Sequence, residues 1–125
     1  MDFLSTFSVA GTGMDAQSRR LRVIAENIAN ADTPGFRRKQ LTFDEAGGKG
    51  GVEVTGLQLD QAPLPMIHNP SHPLADDQGY YAGSNVSMVI EVADAREAQR
   101  SYEANLQLFD QARRMSSALL DLLKR

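Results

Sequence analysis

Three groups of side chains in this sequence have the types and spacing to do chemistry. His68 and His72 are followed by Asp76 and Asp77, and imidazole with carboxylate makes a competent divalent-metal set when the groups converge. Pro70 and Pro73 hold that stretch extended, so nothing forces the four onto one ion, and histidines held by local loop contacts are the expected arrangement. The carboxylates of Asp76, Asp77, Asp94 and Glu97 would do acid–base work only if two of them met in a shielded pocket, which no local pattern requires. Arg37-Arg38-Lys39 beside Phe36 has the ingredients for phosphate contact with base stacking. Asp44 and Glu45 follow closely, so ion pairing at the surface or between chains is the expected use of that basic run. Gly11-Thr12-Gly13 is too short to cradle a phosphate, and no nucleophile or cofactor fingerprint is present. The expectation is a chain that is not an enzyme and has no cofactor, no resident metal and no nucleic-acid partner.

The elements that position these residues follow from composition and periodicity. The chain has 125 residues, 42% of them hydrophobic, a net charge of −3 from 13 basic and 16 acidic residues, and no cysteine. That is enough for one modest unit, with no polyelectrolyte signal toward nucleic acid or anionic lipid and no disulfide framework or thiolate site. Met1-Asp2-Phe3-Leu4-Ser5 carries an acid where a secretory signal needs positive charge, and no apolar run approaches the ~20 residues that span a bilayer. Phe3, Leu4 and Phe7 suit an interfacial helix in apolarity, but Asp2 and Asp15 oppose anionic lipid, so no direct membrane insertion is expected.

Phe3, Phe7, Ala10, Met14, Gln17, Leu21, Ile24 and Ile28 step alternately by four and three, the spacing of a coiled-coil seam. Asp2, Asp15, Arg19, Arg20, Arg22 and Glu26 fill the other faces of this first helix. Gly11 and Gly13 each cost about 1 kcal/mol relative to alanine, so the helix is marginal unless packed. It ends near Asn30, where Asn30-Ala31-Asp32-Thr33-Pro34-Gly35 strings turn formers together, with Pro34-Gly35 suited to the centre of a type II turn.

The glycines at 47, 48, 50 and 51 mark a flexible stretch. Val52-Glu53-Val54-Thr55 and Leu57-Gln58-Leu59 read as two short strands, and Pro63, Pro65, Pro70 and Pro73 predict an extended, irregular arm over 62–83. A second helix opens around Ser84-Asn85-Val86-Ser87, with Asn85 or Ser87 as cap and Glu91 near its positive end, and runs to the C-terminus over ~38 residues, ~57 Å. Its seam is Met88, Ala95, Tyr102, Phe109, Ser116 and Leu123 with the companion row Val92, Gln99, Leu106, Arg113 and Leu120. Asp110 with Arg114 and Asp121 with Arg125 are spaced as i,i+4 ion pairs.

The fold class is therefore mainly α: two long terminal helices packed as an antiparallel coiled-coil-like pair, with an irregular Gly/Pro-rich middle containing one or two short β-strands. The divisions are 1–31, an N-terminal helix; 32–84, the middle segment; and 85–125, a C-terminal helix. The two helices are expected to pair, with Gln17, Gln99 and Arg113 setting register. Val9, Val23, Leu108, Met115 and Leu119 lie on second faces turned to neighbours. A helix of that length is longer than a unit of this size can cover, so part of its stripe must meet another chain.

Ala25-Glu26-Asn27-Ile28-Ala29-Asn30-Ala31-Asp32-Thr33-Pro34-Gly35-Phe36-Arg37-Arg38 resembles the signature that flagellar axial proteins carry near the N-terminus. Asn69-Pro70-Ser71-His72-Pro73-Leu74-Ala75-Asp76, Gly79-Tyr80, Asn85-Val86 and Arg100-Ser101-Tyr102-Glu103-Ala104-Asn105 resemble the flagellar basal-body rod protein family, and within it the proximal rod subunits. Tyr81, Ser84 and Val92 depart from the family's usual residues, and the 47–51 stretch matches no part of it. The family residues are Asn27, Asn30, Pro34, Gly35, Phe36, Asn69, Pro70, His72, Pro73, Tyr102 and Asn105.

The resemblance implies a structural subunit of the proximal rod of the bacterial flagellar basal body, assembling helically with copies of itself and other rod axial proteins to transmit motor torque. It implies passage through the flagellar type III export apparatus without a cleaved signal peptide, and a place in the periplasm-spanning rod. The expected assembly interface is Phe3, Phe7, Met14, Leu21, Ile24, Ile28, Val92, Tyr102, Leu106, Phe109, Leu120 and Leu123. A coiled-coil binding adapter or export chaperone would explain the heptads equally well, but not the Asn-Ala-Asp-Thr-Pro-Gly-Phe and Asn-Pro-Ser-His-Pro-Leu segments.

Overall fold

The computed structural model describes residues 3–48 and 50–124. Asp2 and Arg125, placed above on a solvated face and in an i,i+4 pair, lie outside the described residues. The chain order is α1 (Phe3–Ala29), β1 (Lys39–Glu45), β2 (Val52–Leu59), β3 (Met66–His68), β4 (Tyr80–Ala82) and α2 (Met88–Leu123). The two helices pack on each other, with Asn27 of α1 beside Glu91 of α2 and Phe7 beside Phe109, so they run antiparallel. The class expected from the sequence is the class found.

Ala10 and Ile24 of α1 are buried where expected, and elsewhere the seam differs from the expected one by one residue on each helix. On α1 the buried residues are Ala10, Gly13, Ala16, Ile24 and Asn27; on α2 they are Glu91, Ala98 and Ala112. The row 91, 98, 105, 112 thus faces α1, and Val92, Gln99, Leu106 and Arg113, each one position later, are exposed. On α1 likewise, Gly13, Arg20 and Asn27 enter the pair, while Met14, Leu21 and Ile28 flank it half-buried. Small residues decide this, because they let the two backbones approach and drop polar side chains into the gap: a Cβ on Gly13 would lie 2.8 Å from Asn105 Cγ. The register role expected of Gln99 and Arg113 falls to Asn105 against Gly13, Asn27 against Glu91, and Arg20 against Asp94.

The middle holds more strand than the sequence suggested. β1 and β2 form an antiparallel hairpin from Lys39 opposite Leu59 to Glu45 opposite Val52, with a bulge after Thr42. The two short strands expected around Gly56 are one continuous strand. Its far end is pinned to α1 where the Val52 N–H donates to Thr12 Oγ1 at 3.1 Å. The stretch from Asn27 back to Thr12 is ~22 Å of helix, about the length of a seven-residue strand, so the hairpin lies along α1.

The 62–83 arm is a second hairpin and not an irregular extension: Met66, Ile67 and His68 pair with Ala82, Tyr81 and Tyr80. Its prolines flank the short strands, where no ladder donor is lost. Asn69 and Asp76 shape the loop between them, Asn69 Oδ1 accepting from Ser71 and Asp76 Oδ1 from the Gln78 and Tyr80 N–H groups.

Accessible surface totals 8686 Å², against about 6,600 Å² for a compact monomer of 13.7 kDa. The excess lies on the long helices and the two thin hairpins, which leave much apolar surface in water.

Candidate functional site

At the junction of α1, β1 and α2 sits a polar cluster. The Asn27 carboxamide accepts from the Lys39 N–H at 2.9 Å and donates to the Lys39 carbonyl at 2.9 Å, taking the place of a neighbouring strand. Asn27 is 1% exposed and Glu91 0%; Asn27 Nδ2 also lies 3.4 Å from both Glu91 oxygens. Arg38 spans from Glu91, through Nε at 2.5 Å, to Asp94, through Nη2 at 2.6 Å. Asp94 in turn faces Arg20 at 3.7 Å. Asn85, expected as a helix cap, instead accepts from the Arg38 N–H at 2.6 Å and donates to the Asp60 and Ala62 carbonyls. Ser87 holds the cap position without a side-chain bond.

The basic run is used within the chain: Lys39 makes a surface ion pair of the expected kind, while Arg37 and Arg38 are held inside the subunit. Arg37 donates to the Asp60 and Ala62 carbonyls, Arg38 is held as above, and Lys39 pairs with Glu26. A cleft of about 320 Å³ opens beside Arg38, lined by Arg20, Ile24, Leu41 and Phe43 among others.

The remaining chemical candidates are placed by their neighbours. His68 meets Tyr80 edge-on at 4.7 Å, and His72 stacks on Tyr81 at 3.9 Å while its Nδ1 accepts from the Leu74 N–H. Among the described residues no group of three or more His, Asp or Glu is arranged to hold a metal ion, and no helix is long and apolar enough to cross a membrane. Asp110 pairs with Arg113 at 3.7 Å and not with Arg114.

The family residues are structural fasteners. Asn30 donates to the Glu26 carbonyl and accepts from Thr33, closing α1. Pro34 and Gly35 form the centre of a turn closed by Phe36 N–H to Thr33 carbonyl at 3.2 Å, with Gly35 at φ 75. The Phe36 carbonyl accepts from the Asn85 N–H. Pro70 abuts Gly79, where a Cβ would lie 2.8 Å from its ring. Asn69 and His72 shape the second loop, Asn105 fills the space over Gly13, Tyr102 is half-buried and Pro73 is exposed.

The residues assigned to an assembly surface divide in two. Ile24 is buried in the helix pair, and Phe3, Phe7, Met14, Leu21, Ile28, Tyr102 and Phe109 are half-buried at its margin. Phe7 and Phe109 meet edge-to-face at 4.9 Å. Val92, Leu106, Leu120 and Leu123 face water, at 42, 40, 55 and 81% exposure. Leu108, Met115 and Leu119 are exposed beside them, as expected of the second face, whereas Val9 and Val23 are half-buried under the first hairpin.

Phe3 lines one cleft with Leu108, Ala112 and Met115 of α2. From residue 116 to 123 α2 therefore continues ~12 Å past the first described residue of α1, with its leucines exposed. Sequence reasoning missed Gly13, Arg38, Asn85 and Glu91 as organising residues. Seven-residue spacing of small and amide side chains would have found Gly13 with Asn27, but nothing local announces a contact between residues 38 and 91.

Two family models match the chain. Residues 7–37 match the one described as flagella basal body rod protein, and residues 77–122 the one described as flagellar basal body rod FlgEFG protein C-terminal. The flagellar basal-body rod protein FlgC of Agrobacterium fabrum is 45% identical, covering 99% of this chain and 98% of the relative. FlgC of Salmonella typhimurium is 39% identical, covering 98% of each. FlgC of Buchnera aphidicola from Acyrthosiphon pisum is 35% identical, covering 92% of this chain and 93% of the relative. The two matched regions contain the facing residues of the helix pair, Gly13 and Asn27 in one and Glu91 and Asn105 in the other.

Proposed function

The chain belongs to the FlgC family of flagellar basal-body rod proteins and is a structural rod subunit, not an enzyme; from that premise we propose that it builds the rod through the apolar faces its helix pair leaves open. The observation that carries this is the last stretch of α2, where Met115, Leu119, Leu120, Leu122 and Leu123 are 46–81% exposed. Leucines at that density on an ordered helix favour burial, each worth about 1.5–3 kcal/mol when fully removed from water. Neighbouring copies and other rod axial proteins supply the cover, and side-by-side helix packing passes torque along the assembly. This accounts for the four exposed residues of the expected interface, Val92, Leu106, Leu120 and Leu123; the buried and half-buried ones hold the subunit together.

Export through the flagellar type III apparatus, into a rod that spans the periplasm, belongs to the same reading. Its physical support is the seam: Ala10, Gly13, Ala16, Ala98 and Ala112 bury little apolar area per residue, so the pair is easily opened for threading. Deleting the gene in the source bacterium and complementing it tests the proposal. Loss of rod and filament in envelope preparations, restored by the intact gene, is expected; complete basal bodies in the deletion strain would overturn it.

A further inference from the structure

The first hairpin cannot satisfy its own base. On one edge Lys39 pairs with Leu59, but its other backbone edge is completed by Asn27 of α1. The adjoining Arg38 points its guanidinium into the helix pair, onto Glu91 and Asp94 of α2. Glu91 has no access to water and its polar contacts are Arg38 and Asn27. A carboxylate so placed tolerates burial only beside its cation. Each of three elements thus supplies a group that the other two require: α1 gives Asn27, α2 gives Glu91, and the hairpin gives Arg38 and the Lys39 backbone.

We propose that Glu91, Arg38 and Asn27 form a latch that makes docking of the first hairpin along α1 conditional on the pairing of α1 with α2. The latch is positional, not catalytic. Before the helices pair, Arg38 and Glu91 are both better left in water, and the hairpin is free of α1. When they pair, Glu91 enters the junction, draws Arg38 in, and brings Lys39 onto Asn27. The far contact, Val52 on Thr12, then closes. The outer face of the middle segment, with Leu57 and Leu59 exposed, is thereby presented in one fixed orientation only by a chain whose helices have already docked. This goes beyond the rod reading and does not depend on it.

The absence of native cysteine makes the test clean. In the full chain, Asp15→Cys with Glu53→Cys, which line one cleft, reports hairpin docking by intrachain bismaleimide crosslinking, and Thr6→Cys with Gln111→Cys, which line another, reports helix pairing. Both are read by mass spectrometry whether or not the subunit enters a rod. Glu91→Ala is expected to lower the hairpin crosslink at least fivefold while the helix crosslink stays within twofold; Glu91→Gln, which keeps an acceptor and most of the volume, should lie between. Gly13→Leu, which forces the helices apart at Asn105 without touching the latch, should lower both. An undiminished hairpin crosslink in both Glu91 variants, equal loss of the two crosslinks in Glu91→Ala, or a hairpin crosslink that survives loss of the helix crosslink in Gly13→Leu would each overturn the proposal.

Discussion

Gly13 of α1 and Asn105 of α2 face each other so closely that a methyl group on Gly13 would stand 2.7–2.8 Å from the Asn105 carboxamide. Asn105 is itself tied to the Ser101 carbonyl at 2.8 Å, so it does not swing away freely. Gly13→Ala gains about 1 kcal/mol of helix propensity and meets an overpacking cost of about 1–3 kcal/mol. Net destabilisation is expected, by about 1 kcal/mol in urea denaturation of the purified subunit. Combining it with Asn105→Ala should remove the clash, so that Gly13→Ala becomes neutral or stabilising in that background.

Glu91 and Arg38 make an asymmetric pair, the first fully buried and the second 14% exposed. Removing the cation leaves Glu91 buried without its partner, and Arg38→Met should cost about 3–5 kcal/mol, whereas Glu91→Ala leaves Arg38 paired with Asp94 and should cost less. Replacing both, as Glu91→Met with Arg38→Met, should cost less than either single change in the same denaturation experiment. Equal or greater loss in the double variant would mean that packing, not charge, holds the junction.

The edge-to-face contact of Phe7 with Phe109 closes the open end of the helix pair. Both rings are half-buried, so Phe109→Ala should cost about 2–3 kcal/mol, less than the ~3–5 kcal/mol of a fully buried ring. A double-mutant cycle with Phe7→Ala should return a coupling of about 0.5–1.5 kcal/mol.

Gly35 adopts φ 75 in the turn after α1, with open space around the missing Cβ. Gly35→Ala should therefore destabilise by about 1–2 kcal/mol through backbone strain alone. Gly47 has equally open space without a positive φ, and Gly47→Ala should leave the unfolding midpoint within measurement error.

Much of this architecture is legible in the residues. Heptad spacing gives both helices within a few positions, and Asn30 through Gly35 marks the turn. The expected rows lie one residue late at Met14, Leu21 and Ile28 of α1 and in the companion row of α2, because heptad spacing alone does not favour small and amide side chains over their neighbours. Here Gly13, Ala98, Asn105 and Ala112 make the seam, and Val92, Leu106 and Leu120 are left outside it. The second hairpin was hidden by prolines that sit at the ends of three-residue strands. Glu91 looked like a dipole partner at the helix start; its true partner is 53 residues away, a distance over which no local pattern operates.

The central claim is that the open apolar end of α2 is an assembly surface and not part of the subunit's own core. Leu120→Asp with Leu123→Asp, both side chains exposed, tests it most directly, with the variant's thermal unfolding compared with that of the parent chain and its presence in isolated basal bodies measured by immunoblot. The account predicts an unfolding midpoint within about 2 °C of the parent and loss of incorporation and motility. Normal incorporation and swimming in a strain carrying only the double variant would contradict it.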